Sequence, residues 1–173
     1  MSPASIEIHP AALPLGQLLA DCTVRFTRRS GPGGQHRNKV ETAVILEHRP
    51  TQISAEASEC CSQARNRQQA AFRLRLRLAT EVRNGVVVPH RPSALWSSRC
   101  RNGKVAVNPR HEDFPALLAE ALDVVAASEY DLKLAATSLT CTPSQLTKLL
   151  QLEPRAISVV NLTRERMGLH RLK

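Results

Sequence analysis

Residues 30–43 read SGPGGQHRNKVETA, and they are the most informative stretch of this 173-residue chain. Gly31, Gly33 and Gly34 give the backbone access to positive φ angles and let its N–H groups approach a ligand without an intervening Cβ atom. Gln35 follows at the tip, where its side-chain amide is both a donor and an acceptor. The pattern predicts a loop that presents a backbone amide and one neutral side chain to a reacting group.

Cationic side chains, which we call the cationic collar, flank this neutral tip. They are Arg28, Arg29, Arg37 and Lys39. The formal net charge of the chain is +9, and the whole excess lies in residues 25–110, which carry 17 basic and 5 acidic side chains. Such a concentration of positive charge predicts a surface that faces a polyanion such as RNA.

The loop lies between segments that have the alternation of β-strands. Val24 and Phe26 alternate with polar residues before it, and residues 42–47 and 53–57 form two further candidate strands separated by a turn-like HRPTQ segment. A short helix that opens at Pro14 precedes them. These elements predict a small antiparallel sheet of three to four strands.

Residues 72–78 read FRLRLRL, which taken alone alternates like a strand, but the wider window favours a helix over residues 59–83. Ser58 is the candidate N-cap. The predicted apolar stripe comprises Cys60, Ala64, Ala71, Leu74, Leu78 and Val82. The predicted polar stripe comprises Asn66, Gln69, Arg73, Arg77 and Thr80. Arg73 and Arg77 lie one turn apart, and we expect them to contact RNA phosphates; a merely solvated face is the alternative.

The remaining sequence predicts a basic connector over residues 85–110, with a hairpin turn at Asn102-Gly103, and a helical C-terminal domain over residues 111–173. The candidate helix starts in that domain are Asp113, Asp131, Thr142 and Pro154. The predicted fold is therefore α+β. A small antiparallel sheet with a long basic helix forms a first domain over residues 1–84, and the connector and the helical domain follow.

The glycine-rich stretch resembles the signature of the class I peptide release factors, S-G-P-G-G-Q-x-x-N-K, over its full length. Ser30, Gly31, Pro32 and Asn38 complete that match around the Gly-Gly-Gln triplet. The resemblance covers about residues 20–84. It also favours this family over phosphate-binding loops, because neither G-x-x-x-x-G-K-[ST] nor G-x-G-x-x-G occurs.

The resemblance implies hydrolysis, on the ribosome, of the ester that joins a nascent peptide to tRNA. By similarity, the backbone N–H of Gln35 stabilises negative charge in the transition state, and its side chain admits water but not larger nucleophiles. Gly33 and Gly34 permit the close approach. The implied partners are ribosomal RNA and peptidyl-tRNA, with a separate methyltransferase acting on N5 of Gln35. No metal, no cofactor and no covalent intermediate are expected.

Full-length release factors also carry a domain that reads the stop codon, for which we expect no room before residue 20. The chain is therefore most similar to the short, codon-independent peptidyl-tRNA hydrolases that rescue stalled ribosomes. Those proteins end in a Lys/Arg-rich tail, whereas residues 111–173 carry 7 basic and 8 acidic side chains. Neither a membrane-spanning segment nor a targeting segment is evident, so we expect a soluble, cytoplasmic protein.

Alternative chemistry has less support in the sequence. The five cysteines form no CxxC pair, the histidines show no metal-ligand spacing, and Ser30 has no assigned base. His36 lies beside Gln35, but loop structure or an RNA contact accounts for it more simply than a general base. A rival interpretation is a nucleic-acid-binding protein, in which residues 131–168 form a helix-turn-helix-like region and the Gly-Gly-Gln loop is catalytically silent.

Overall fold

The computed structural model describes residues 8–27 and 42–173, and it confirms the α+β class with a small antiparallel sheet and several helices. The chain divides into two compact units. We call Leu13–Leu78 the sheet unit, and Met1–Ala12 together with Ala79–Lys173 the helical unit. Within the described ranges, no helix is both long enough and apolar enough to cross a bilayer.

The sheet unit is built on three antiparallel strands in the order β1-β2-β3, with β1 at Cys22–Thr27, β2 at Ala43–His48 and β3 at Ile53–Ala57. Helix α1, Leu15–Ala20, precedes them. The central strand β2 is the most buried, and its two neighbours are more exposed along their lengths. The predicted strands are thus confirmed, with β2 shifted by one residue.

The long basic helix α2 spans Gln63–Glu81, so it begins later than residue 59. The reason is a different cap: Ser62 Oγ accepts a hydrogen bond from the N–H of Arg65 at 3.4 Å, whereas the N–H of Ser58 donates to the Glu59 carboxylate. A side chain just before a helix can cap it, and the chain has a serine at position 58 and another at position 62.

The predicted stripes of α2 are correct in the middle of the helix and wrong towards its ends. Ala71, Leu74 and Leu78 are buried as expected. Ala64, assigned to the apolar stripe, is exposed, whereas Asn66 and Thr80 from the polar stripe are buried. Periodicity assigns polar residues to solvent, but a polar group can be buried when protein atoms satisfy its hydrogen bonds.

The helical unit contains a short hairpin and helices on both sides of it. Its elements are α3 (Ala94–Arg99), β4 (Cys100–Arg101), β5 (Lys104–Val105), α4 (Phe114–Ala127), α5 (Leu132–Ser138), α6 (Pro143–Gln151) and α7 (Pro154–Arg166). The hairpin turn is at Asn102-Gly103 as predicted, and both residues have positive φ angles, of 50° and 73°.

The structure groups the chain differently from the predicted segments 1–84, 85–110 and 111–173. Residues 85–110 belong to the helical unit rather than standing apart as a connector. The physical reason is Trp96 on the unpredicted helix α3, which is fully buried and donates from Nε1 to the carbonyl of Leu139 at 2.7 Å. Residues 8–12 also belong to this unit.

Side-chain caps at two of the C-terminal helices agree with the sequence. Asp131 accepts hydrogen bonds from two backbone N–H groups at the start of α5, and Thr142 Oγ1 accepts from the N–H of Gln145 in α6. Asp113 precedes α4 but makes no capping hydrogen bond. Its carboxylate instead accepts hydrogen bonds from Arg99.

His9 couples the stability of the helical unit to pH. It is buried between the N–H of Ala11, which donates to Nδ1, and the carbonyl of Val82, to which Nε2 donates. Burial lowers the pKa of His9 from 6.5 to about 4, the hydrogen bond to Val82 opposes this shift, and the charge of Arg83 reinforces it. The folded state therefore favours the neutral imidazole.

A pKa that is lower in the folded state gives stability that is present above pH 6.5 and is lost as the pH falls towards 4. We expect this loss to be about 3 kcal/mol for His9, and to be absent from His9→Gln. Chemical denaturation of both proteins at pH 7 and at about pH 4 measures it. Asp123, whose pKa burial raises to about 6, is common to both proteins and cancels in the comparison. Parallel pH profiles for the two proteins would contradict the prediction.

Candidate functional site

The two strands that flank the glycine-rich stretch are paired from end to end. Cys22 pairs with His48 at one end of the β1-β2 hairpin, and Thr27 pairs with Ala43 at the other. Residues on neighbouring strands lie about 5 Å apart. The connection formed by residues 28–42 therefore leaves and re-enters the sheet at adjacent positions.

The predicted catalytic residues, the cationic collar and the supporting motif residues lie outside the described residues. They are Gly33, Gly34 and Gln35, then Arg28, Arg29, Arg37 and Lys39, then Ser30, Gly31, Pro32 and Asn38. Their roles stay predictions. What the structure describes is the base from which that stretch extends.

The buried amide of Asn66 contacts this base. Its Nδ2 donates to the carbonyl of Thr42 at 2.6 Å and to the carbonyl of Cys60 at 2.8 Å, and its Oδ1 accepts from the N–H of Cys60 at 2.9 Å. Asn66 has no solvent exposure, and it joins α2, the β3-α2 connection and the residue that precedes β2. This role could not be predicted from the sequence, because a lone Asn in a polar stripe gives no signal of a buried partner.

Arg73 and Arg77 point their guanidinium groups at β3. Arg73 donates to the carbonyl of Glu56 at 2.8 Å and forms an ion pair with Glu59 at 2.7 Å, and Arg77 donates to the carbonyl of Ser54. The ion pair lowers the pKa of the Glu59 carboxyl. Both arginines thus have structural partners, and their predicted contact with RNA stays a prediction.

Two other arginines on α2 are better placed to face a polyanion. Arg65 and Arg67 are exposed, and neither has an ion-pair partner among the residues that the structure describes. They were not among the RNA-contacting residues predicted from the sequence, which on this helix were Arg73 and Arg77. Their charge, on the residues immediately before and after Asn66, adds to the positive potential of this unit.

These contacts predict that Arg73 and Arg77 stabilise the sheet unit. We expect Arg73→Gln/Arg77→Gln to lose about 2 kcal/mol of unfolding free energy, because two charge-assisted hydrogen bonds are lost at sites that water partly screens. Arg65→Gln/Arg67→Gln is the matched control, with a loss within about 0.5 kcal/mol. Urea denaturation of both double variants measures the difference, and equal losses would show that the β3 contacts contribute nothing.

Other constellations in the described ranges do not form a second catalytic site. Glu120 accepts hydrogen bonds from both His90 Nε2 at 3.1 Å and Ser93 Oγ at 2.6 Å, so the serine hydroxyl and the imidazole each contact the carboxylate and are not arranged as a serine–histidine pair. Burial raises the pKa of Cys141 to about 12, which disfavours a thiolate. No group of three potential metal ligands occurs within residues 8–27 and 42–173.

The structure and the sequence together define a class: an α+β unit in which a long basic helix contacts an antiparallel hairpin, and the hairpin connection carries SGPGGQ. The RF-1 domain family model matches residues 19–105, which is half of the chain. The chain therefore belongs to the RF-1 domain family. The match includes β1, β2, β3, α2 and the part of the helical unit that runs from residue 79 to β5, but not α4–α7.

Curated relatives of this chain include peptide chain release factors. It is 39% identical over 88 residues to the chloroplastic peptide chain release factor PrfB1 of Arabidopsis thaliana, a match that covers 47% of this chain and 19% of the relative. It is 45% identical over 64 residues to peptide chain release factor 1 of Acidiphilium cryptum, which covers 37% of this chain and 18% of the relative. The chain thus spans about a fifth of the length of these relatives.

Proposed function

We propose that this protein hydrolyses the ester of peptidyl-tRNA on the ribosome, and that it does so without reading a stop codon. The observation that carries the proposal is the family match over residues 19–105, which includes the full SGPGGQ signature between the paired strand ends. A release factor-like function follows at the level of the family. The codon-independent form is our inference from the sequence.

In the proposed mechanism, water attacks the ester carbonyl, and negative charge develops first on the carbonyl oxygen and then on the departing 3′-oxygen of the tRNA. The backbone N–H of Gln35 donates to that developing charge, and a preorganised donor stabilises the transition state more than the ground state. Gly33 and Gly34 present no Cβ to the substrate. The attacking water loses a proton as its oxygen bonds to the carbonyl carbon, the departing 3′-oxygen takes up a proton as the ester C–O bond breaks, and no covalent intermediate with the protein forms.

The proposed partners follow from this reaction. The ribosome supplies the peptidyl-tRNA, and ribosomal RNA is the polyanion that the basic sheet unit faces. The cationic collar, Arg73 and Arg77 are the contacts predicted from the sequence, and the exposed side chains of Arg65 and Arg67 add a further pair. N5-methylation of Gln35 by a separate methyltransferase stays a prediction that mass spectrometry of the protein from its native host can check.

A peptide-release assay tests the proposal. The full chain is added to ribosomes that carry labelled peptidyl-tRNA, with a stop codon, a sense codon or no codon in the A site, and released peptide is counted over time. We expect release without a stop codon. Release restricted to stop codons would overturn codon independence, and no release in any arm would overturn the proposed activity. A fourth arm with free peptidyl-tRNA shows whether the ribosome is required.

A second candidate function, binding of nucleic acid by the C-terminal helices, is favoured by one arrangement in the helical unit. Helices α4, α5 and α6 contact one another, and a four-residue turn over residues 139–142 joins α5 to α6. The buried side of α6 comprises Leu146, Leu149 and Leu150. Ser144, Thr147, Lys148 and Gln151 lie on the opposite side, which lines a groove of about 1010 Å³.

This arrangement resembles a helix-turn-helix, a motif in which the second helix presents polar side chains to nucleic acid. The discriminating measurement is fluorescence anisotropy of the full chain with labelled duplex DNA and RNA, compared with Lys148→Gln/Gln151→Ala. Binding that is lost in this variant, in a protein that shows no peptide release, would favour the second candidate. Peptide release in the ribosome assay favours the first.

A further inference from the structure

We propose that Asn66 is a positioning residue for the catalytic connection, holding the end of residues 28–42 that enters β2. The inference rests on the proposed function, because a positioning role has meaning only if that connection performs the chemistry. It goes beyond the family signature, since Asn66 lies on α2, well outside the SGPGGQ stretch.

The hydrogen bonds of Asn66 specify one orientation of its amide. Two carbonyl oxygens, of Thr42 and Cys60, face Nδ2, and one N–H, of Cys60, faces Oδ1. Reversing the amide would place Oδ1 against two acceptors, so only the observed orientation satisfies the three groups. A buried amide with both its donors and its acceptor engaged fixes the groups that it contacts.

Thr42 is the residue at which this restraint reaches the connection. It precedes Ala43, and Ala43 pairs with Thr27, where the connection begins. Asn66 thus adds a contact from the helix at Thr42, immediately before the residue at which the described pairing of β2 begins. A shift of about 1 Å in a group that must meet a transition state can cost about 10²-fold in rate.

The part of α2 that carries Asn66 is itself held by hydrogen bonds and packing. Its N–H donates to the carbonyl of Ser62 in the first turn of α2, whose start Ser62 also caps. Four residues after Asn66, Ala70 begins the buried stripe of the helix. The amide is therefore held by a packed helix rather than by a loop.

The test separates rate from binding. Asn66→Asp keeps the shape and one acceptor but, as a carboxylate, has no donor for the Thr42 and Cys60 carbonyls. Asn66→Ala removes the contacts altogether and serves as the second variant if Asn66→Asp does not fold. Each full-length protein is assayed for peptide release at increasing ribosome concentration, below its melting temperature, giving kcat and the half-saturating ribosome concentration.

We expect kcat to fall by about 10-fold or more, with the half-saturating concentration within about twofold of the wild-type value. Leu18→Ala is the matched control for lost stability: Leu18 is fully buried in α1, which leads into the Cys22–His48 end of the hairpin, opposite the connection. We expect it to lower the melting temperature but to release peptide at the wild-type kcat while folded.

Two outcomes would overturn the inference. If the Asn66 variants lower kcat no more than Leu18→Ala does at an equal folded fraction, Asn66 is only a stabilising residue. If the half-saturating concentration rises while kcat stays constant, Asn66 supports ribosome binding instead. Gly33→Ala, measured in parallel, distinguishes failure of the positioning role from failure of the proposed function. Normal release by Gly33→Ala would refute the proposed mechanism itself. Loss of release in Gly33→Ala, together with normal release by the Asn66 variants, would refute only the positioning role.

Discussion

Replacing Gly33 with alanine is expected to lower the rate of peptide release by at least about 10²-fold, while ribosome association stays nearly unchanged. The added Cβ lies in the glycine pair that must approach the ester, and so it displaces the Gln35 N–H from the charge that develops in the transition state. An interaction made only in the transition state affects turnover and not ground-state binding. Single-turnover release and ribosome co-sedimentation measure the two quantities separately.

Gly16→Ala is the matched glycine control for this experiment. Gly16 lies in α1 of the same unit, and a Cβ added there would meet no atom within 4 Å. Alanine is also the better helix former, so this variant should fold at least as well as the wild type and release peptide normally. Wild-type release by Gly33→Ala would contradict the proposed role of the motif, whereas a loss in Gly16→Ala would indicate a defect unrelated to it.

Trp96→Ala is expected to cost about 3–5 kcal/mol of unfolding free energy, the largest stability effect that we predict for a single substitution. The indole is fully buried, and its removal leaves both a cavity and a Leu139 carbonyl without its donor. Circular dichroism during urea denaturation measures the loss.

Trp96→Phe separates the two parts of that effect, because it retains an aromatic ring but not the N–H. We expect an intermediate loss of about 1–3 kcal/mol, the cost of an unsatisfied buried carbonyl. Equal stability of Trp96→Phe and wild type would show that the Leu139 hydrogen bond contributes nothing. A loss below about 1 kcal/mol in Trp96→Ala would contradict the role of this residue in the core of the helical unit.

The strands could be predicted from the alternation of apolar and polar residues and from the turn residues between them. Each strand has one face that is more buried than the other, and turn-favouring residues bound the strands. The two-residue turn at Asn102-Gly103 was predictable for the same reason. The helix α3 was not. It is six residues long, a length at which no periodicity can be measured, and its existence depends on the burial of Trp96 against distant residues.

The candidate site, too, could be predicted from the sequence only where its features are local. The sequence identifies SGPGGQ because that signature is local, and it identifies the positive charge by counting. It cannot show that the Asn66 amide meets Thr42, because those residues are 24 positions apart. Arg73 and Arg77 lie on one side of α2, as the sequence predicts, but the carbonyls that accept their hydrogen bonds belong to β3. A pattern within one element cannot reveal which groups of another element it contacts.

The carbonyls that accept from Arg73 and Arg77 have a consequence for the solubility of the protein. In the described part of the chain, β3 pairs only with β2, which makes it an edge strand with one side open to a further strand. Ser54 and Glu56 are two positions apart, so their carbonyls point to the same side of β3, and the two guanidinium groups already occupy them. A strand from another molecule would have to displace both cations before it could pair there. We therefore expect the same two arginines to hinder edge-to-edge pairing of β3 with another molecule, a route to aggregation that exposed edge strands offer.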